Sequence, residues 1–104
     1  MSAMASGEMN LNAALAGLHG WQRVEQDGKG AVQKSWRFAD FHQTMAFVNA
    51  VAAVAHVMDH HPDLHVRYNR CIVRYTTHDA GGLTQRDIDA ATRVDALPEG
   101  RPAA

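Results

Sequence analysis

Residues 40–62 read DFHQTMAFVNAVAAVAHVMDHHP, and this stretch decides the fold. Phe41, Met45, Val48, Ala52 and Ala55 recur at alternating spacings of four and three, the stripe of an amphipathic helix. Asp40 stands before them as an N-cap, with Gln43 three residues on in a capping-box-like start. At the other end Pro62 disfavours helical dihedrals at His61, so the helix stops near Asp59 and the chain turns at His-His-Pro. A long central helix is the expectation, and the fold class depends on what flanks it.

On the N-terminal side, residues 31–38 (AVQKSWRF) alternate, with Val32, Lys34, Trp36 and Phe38 on one face and Ala31, Gln33, Ser35 and Arg37 on the other, which marks a strand. Trp21 to Gln26 is a weaker strand, joined to it through Asp27-Gly28-Lys29-Gly30, whose glycines suit a hairpin turn. Further upstream, Leu11, Ala14, Leu15 and Leu18 follow Asn10 at helical spacing and stop at Gly20. On the C-terminal side, Leu64 to Tyr68 and Arg70 to Thr77 read as two strands meeting at Asn69. Gly81-Gly82 then breaks the chain. Thr84 caps a last helix, with Asp87 placed to reach back to it and Leu83 and Ile88 placed as a hydrophobic staple. This helix ends before Pro98. The order αββαββα, two hairpins around a helix, predicts an α+β domain: a single four-stranded antiparallel sheet with helices packed on one face. The expected domain spans residues 10–97, between a flexible N-terminus (1–9) and a flexible tail (98–104).

The 104 residues are 46% hydrophobic and 20% charged, as in one compact globular domain. A core this thin gains from subunit association. The formal net charge is −1 and the basic residues are scattered along the sequence, which argues against nucleic acid as partner. Cys71 is the sole cysteine, so neither an intramolecular disulfide nor a cysteine-based zinc site can form, and a reducing compartment fits. No run approaches the roughly 18 apolar residues of a membrane span. The first seven residues lack the basic and apolar regions of a signal peptide.

Histidine is over-represented: seven in the chain, with His56, His60, His61 and His65 within ten positions. Solvated histidines at a helix C-terminus are one explanation, favoured by the macrodipole. Zinc is another, but no HExxH or CxxC spacing supports it. General acid/base chemistry is the third, because imidazole titrates near neutrality and can take or give a proton without metal or nucleophile. Trp21, Trp36, Phe38, Tyr75 and the methionines read as core, and Cys71 as an inert buried thiol.

The stretch Asp59-His60-His61-Pro62-Asp63, then Tyr68-Asn69, Thr76-Thr77-His78 and Gly82-Leu83-Thr84-Gln85-Arg86-Asp87-Ile88 resembles the pterin-4a-carbinolamine dehydratase family over roughly residues 10–97. Gly20-Trp21 and Trp36-Arg37-Phe38 add a weaker match. The resemblance implies the same fold and the dehydration of 4a-hydroxytetrahydrobiopterin to quinonoid dihydrobiopterin, part of tetrahydrobiopterin recycling. It implies His60, His61 and His78 as catalytic residues, with His61 in substrate contact and His60 and His78 an acid/base pair of unassigned roles. Asp59, Pro62, Asp63, Thr77 and Arg86 are implied at the substrate, although Pro62 and Asp63 are also explained by the turn. Asp87 falls near the same rim, yet capping accounts for it without function. No cofactor or metal is implied. The resemblance further implies a cytoplasmic homodimer or homotetramer, with a nuclear pool in a eukaryotic cell. An aromatic amino acid hydroxylase or a transcription factor is the implied protein partner, and a membrane is not. A dimerisation cofactor of a homeodomain transcription factor, or a relative acting on another pterin, are the alternative functions. Two departures stand out. His56 occupies a position where relatives carry Glu or another polar residue, and helical spacing would set it one turn from His60. Leu64 replaces an aromatic residue.

Overall fold

The computed structural model describes residues 11–101. Helix α1 covers 11–16 of these, followed by β1 (Gln22–Gln26), β2 (Lys29–Arg37), α2 (Phe41–Met58), β3 (Asp63–Val66), β4 (Arg70–Tyr75) and α3 (Gln85–Asp95), with 3-10 turns at His78–Ala80 and Pro98–Gly100. The order is the αββαββα read from the sequence. The cap expected at Asn10 lies outside the described residues.

All strand pairs are antiparallel and the sheet order is β1-β2-β4-β3, so the two central strands come from different hairpins. Gln26 pairs with Lys29, which leaves Asp27-Gly28 as a two-residue loop with φ of 52° and 77°. Two positive φ values are the signature of a type I′ turn, whose twist matches the strands it joins. Lys29 and Gly30, expected in the turn, therefore belong to β2. The second hairpin closes through Tyr68-Asn69, with the Arg67 N–H donating to the Arg70 carbonyl at 2.8 Å. Against the bounds expected from the sequence, β3 starts one residue earlier and stops two residues earlier, at Val66, and β4 stops two residues earlier, at Tyr75.

Strand alternation separates two faces. Val32 opposes Tyr75 and Trp36 opposes Cys71, and these four side chains point into the core with Phe47 and Val51 of α2 and Ala90, Ala91 and Val94 of α3. Gln33, Ile72 and Arg74 point to the other face, which carries no helix among the described residues. Asp95 fastens α3 to this core by accepting from Trp21 Nε1 at 3.0 Å and Lys34 Nζ at 2.9 Å.

The apolar stripe of α2 is shifted from its expected place. Thr44, Phe47, Val51 and Ala55 are the buried positions, while Phe41 is 49% exposed and Ala52 is exposed. The helix is apolar nearly all round, so its period admits two stripes and only packing selects one. Its start follows the expectation in part: Asp40 Oδ1 accepts from the Gln43 N–H at 2.8 Å, but Gln43 Oε1 reaches Ala39 N at 3.2 Å instead of the cap residue's own N–H. Residues 98–100, expected in the tail, pack on the core. A Cβ on Gly100 would lie 3.0 Å from both Phe47 Cε1 and Trp36 Nε1, so only glycine allows this approach.

Candidate active site

Two chain reversals build the site. The first is the end of α2. Asp59 turns into the left-handed region (φ 50°, ψ 44°), which Asp tolerates better than most residues. Its N–H donates to the His56 carbonyl, and the His60 N–H reaches back to Ala55 at 3.1 Å. This Schellman closure satisfies the last carbonyls and fixes the backbone of His60 just beyond the helix. The second reversal follows β4. Thr77 bridges to Gly82, whose φ of 158° is a backbone conformation that residues with a side chain rarely adopt, and His78 opens the short turn between them.

Between these reversals lies an open cavity of about 240 Å³, lined by Asp59, His60, His61, Thr76, Thr77, His78, Asp79 and Arg86. All three histidines expected to be catalytic meet there, with Asp59, Thr77 and Arg86. Pro62 and Asp63 are not among its walls. Asp63 opens β3 on the helix-free face, accepts from Gln26 Nε2 at 2.8 Å, and lines a separate cavity of about 370 Å³ with Ile72 and Arg74. Alternation explains this: a strand starting at Asp63 sends Leu64 to the core and its neighbours to the opposite face.

The three histidines differ in setting. His61 and His78 are exposed, whereas His60 is 7% exposed. The His60 ring stacks on Tyr75, with centroids 5.5 Å apart and planes at 19°. Its Nε2 lies 2.6 Å from Oδ1 of the fully buried Asp87. The other Asp87 oxygen accepts from Thr77 Oγ1 at 2.8 Å and from the Thr84 N–H at 2.9 Å. Thr77 has one hydroxyl proton, which goes to Asp87, so the 2.8 Å contact between Thr77 and Thr84 is donated by Thr84. Thr77 therefore orders the carboxylate instead of offering a donor to the cavity. Arg86, at the start of α3, donates from Nη2 to the Asp59 carbonyl at 2.8 Å and ties α3 to the end of α2.

Asp87 is the residue that sequence reasoning undervalued. Capping was the correct signal, since Asp87 does accept the Thr84 N–H, but the cap uses only one of two oxygens. The second orients His60. Its complete burial, which no local spacing reveals, separates this carboxylate from an ordinary cap. Thr76 and Asp79 are further walls that the sequence did not single out. His56 is exposed and does not line the cavity. Asp59 has already left the helix, so the four-residue spacing from His56 to His60 is not a helical one, and the acidic neighbour of His60 is Asp87.

Burial lifts the Tyr75 hydroxyl from 10.0 to about 12, with the Asp87 charge adding to it, and lifts Cys71 from 9.0 to about 11. Both are therefore neutral at physiological pH, which agrees with reading them as core.

Comparison with known proteins points the same way. The family model described as pterin 4 alpha carbinolamine dehydratase matches residues 5–97. A Paracidovorax citrulli protein with the provisional name pterin-4-alpha-carbinolamine dehydratase is 48% identical over 80% of this chain and 72% of its own length. A provisionally named counterpart from Stenotrophomonas maltophilia is 47% identical over 92% and 81%. Among solved structures, a transcriptional coactivator/pterin dehydratase from Brucella melitensis superimposes with a TM-score of 0.77 at 39% identity, covering 86% of this chain and 93% of that one. A pterin dehydratase-like RuBisCO assembly factor of the alpha-carboxysome shares the fold at a TM-score of 0.63 and 23% identity, over 75% and 88%. With a family match over nearly its whole length and relatives near half identity, the chain belongs to the pterin-4a-carbinolamine dehydratase family.

Proposed function

We propose that the chain dehydrates 4a-hydroxytetrahydrobiopterin to quinonoid dihydrobiopterin, the reaction that returns a spent pterin cofactor to its recycling route. The observation that carries this reading is the buried Asp87–His60 pair facing a cavity shared with His61 and His78. Ligand clefts commonly occupy about 300–1,000 Å³, so a smaller open cavity suits a bicyclic ring better than a nucleotide.

The reaction breaks the 4a carbon–oxygen bond. The hydroxyl takes one proton and leaves as water, N5 gives up its proton, and the N5–H electron pair becomes the N5=C4a double bond. One acid and one base are sufficient. An ionised Asp87 keeps the His60 proton on Nε2, which leaves Nδ1 as the free lone pair and assigns His60 to the base on N5. His78, across the cavity, then protonates the leaving hydroxyl, and His61 holds the ring and relays protons at the mouth. Asp59 and Arg86 form the rim that contacts the pterin. The same reading takes the protein to be cytoplasmic and self-associating, drawing its substrate from an aromatic amino acid hydroxylase.

The test is a rate measurement with chemically generated 4a-hydroxytetrahydropterin. The expected result is turnover above the spontaneous rate that survives EDTA, falls about 10²-fold in His61→Ala, and is unchanged in His42→Ala, a residue outside the cavity. No acceleration, equal losses in the two variants, or loss to EDTA with recovery on zinc would refute it. The name of the Brucella structure favours a second reading, a coactivator role through a protein partner. Capture of a specific partner from native extract by a protein without dehydratase activity would favour that reading instead.

A further inference from the structure

Two anchors hold His60, and together they leave its ring one motion. The end of α2 pins the backbone, with the His60 N–H on the Ala55 carbonyl at 3.1 Å, and Asp87 Oδ1 holds Nε2 at 2.6 Å. Nε2 lies nearly across the imidazole from Cβ, so the ring can still spin about the line joining those two atoms. Nδ1 sits off that line. A spin would therefore swing its lone pair out of aim while both anchors stayed intact. Neither the helix end nor the carboxylate sets the plane of the ring.

Tyr75 supplies the missing constraint. Its ring lies against His60 with planes at 19° and centroids 5.5 Å apart, within the range of paired aromatic rings. Among the described residues no other aromatic ring pairs with His60. Tyr75 is itself fixed by packing: it is fully buried, stands opposite Val32 in the β2–β4 pairing, and meets the Trp21 ring with centroids 6.4 Å apart. Its hydroxyl takes no part. The oxygen is sealed from solvent without a hydrogen-bond partner among the described residues, and Tyr75 is not a wall of the cavity. Lifted to about 12, the hydroxyl also keeps its proton. Core packing alone does not call for a ring parallel to the imidazole, since an aliphatic side chain of similar volume fills a core as well.

We propose that Tyr75 is a positioning residue: its ring is a flat shelf that sets the plane of the His60 imidazole and so aims Nδ1 at the substrate, acting through His60 without touching the pterin. The inference rests on the proposed dehydration, in which His60 is the base at N5. A general base works only within hydrogen-bond reach of the proton it takes, about 2.6–3.2 Å, so an error of aim costs rate and leaves binding intact. A misplacement of about 1 Å can cost about 10²-fold. The ring and not the hydroxyl carries the role. Tyr75→Phe, which keeps the shelf, and Tyr75→Leu, which keeps only apolar bulk, therefore have opposite outcomes.

The test compares the full chain as wild type, Tyr75→Phe, Tyr75→Leu and Tyr75→Met. The Met variant, whose flexible side chain fills irregular gaps, keeps the test alive if the Leu variant does not fold. Crystal structures read the plane directly and need no activity. One His60 orientation is expected in wild type and Tyr75→Phe. In the Leu and Met variants the ring should be turned, or split between two orientations, with its Asp87 contact kept. Rates with chemically generated 4a-hydroxytetrahydropterin should show kcat about tenfold lower in the Leu and Met variants, KM little changed, and wild-type kcat in Tyr75→Phe. Tyr75→Phe should also melt at or above the wild-type temperature, because it buries no unpaired hydroxyl. A single unchanged His60 plane in the Leu and Met variants, or a kcat as low in Tyr75→Phe as in Tyr75→Leu, would each overturn the proposal. Absence of dehydratase activity in wild type would refute the proposed function, while the crystallographic plane of His60 would still decide the role of Tyr75, so the two failures are distinguishable.

Discussion

At the scale of single residues, Asp87 joins two tasks that are usually separate. One oxygen closes the N-terminus of α3 and orders Thr77, while the other fixes His60. Asp87→Asn keeps the shape, but its amide nitrogen cannot accept from Thr77 and Thr84 while its oxygen faces His60. Hydrogen bonds to a buried charged group contribute about 1.5–3 kcal/mol, and their loss leaves donors unpaired. The variant should therefore lose about 2–4 kcal/mol in urea denaturation, and its kcat should fall about 10²-fold with KM little changed. A drop in stability with kcat intact would leave Asp87 as a cap alone. The cap was legible in the sequence as Thr84-x-x-Asp87. The contact to His60 was not, because residues 60 and 87 meet only through tertiary packing.

At the scale of elements, the end of α2 is part of the site. Asp59 occupies the left-handed region at φ 50°, a conformation costing roughly 1–2 kcal/mol for an ordinary side chain and little for glycine. Asp59→Gly should hold or raise stability by up to about 1 kcal/mol, and Asp59→Val should lower it by about 1–2 kcal/mol, both measured by thermal unfolding. A β-branched residue tolerated at no cost would mean that the turn can form another way. Strong local signals made most elements readable: Asp40 with Gln43, the stop at His61-Pro62, Thr84 with Asp87, and the alternation of 31–38. What misled were segments whose composition fits two arrangements. The apolar circumference of α2 allowed a stripe through Phe41 and Ala52, although packing buries Phe47 and Val51. The Asp59–Asp63 run looked like one continuous motif, but the change from helix end to strand sends His60 and Asp63 to different faces.

At the scale of the whole molecule, two buried groups give stability a dependence on alkaline pH. Cys71 and Tyr75 ionise near 9.0 and 10.0 when unfolded, and near 11 and 12 when folded. Between those limits the unfolded chain has released protons that the folded chain still holds, so rising pH favours unfolding. Their contribution is therefore complete below pH 9 and declines as pH passes through 9 to 12. Urea midpoints measured from pH 8 upward should fall, and the fall should be shallower in Cys71→Ala and Tyr75→Phe. A parallel decline in wild type and both variants would assign the effect to other groups. The strand order β1-β2-β4-β3 has a different consequence, for the order of events during synthesis. Each hairpin can close as soon as its own residues are available, but the β2–β4 seam joins distant parts of the chain and carries the larger loop-closure entropy. His60 and Thr77 emerge with the second hairpin, while Asp87 emerges later still. A ribosome-bound chain thus holds a nearly complete sheet before it holds an imidazole oriented by a carboxylate, and the His60–Asp87 contact arrives only with α3, the last helix.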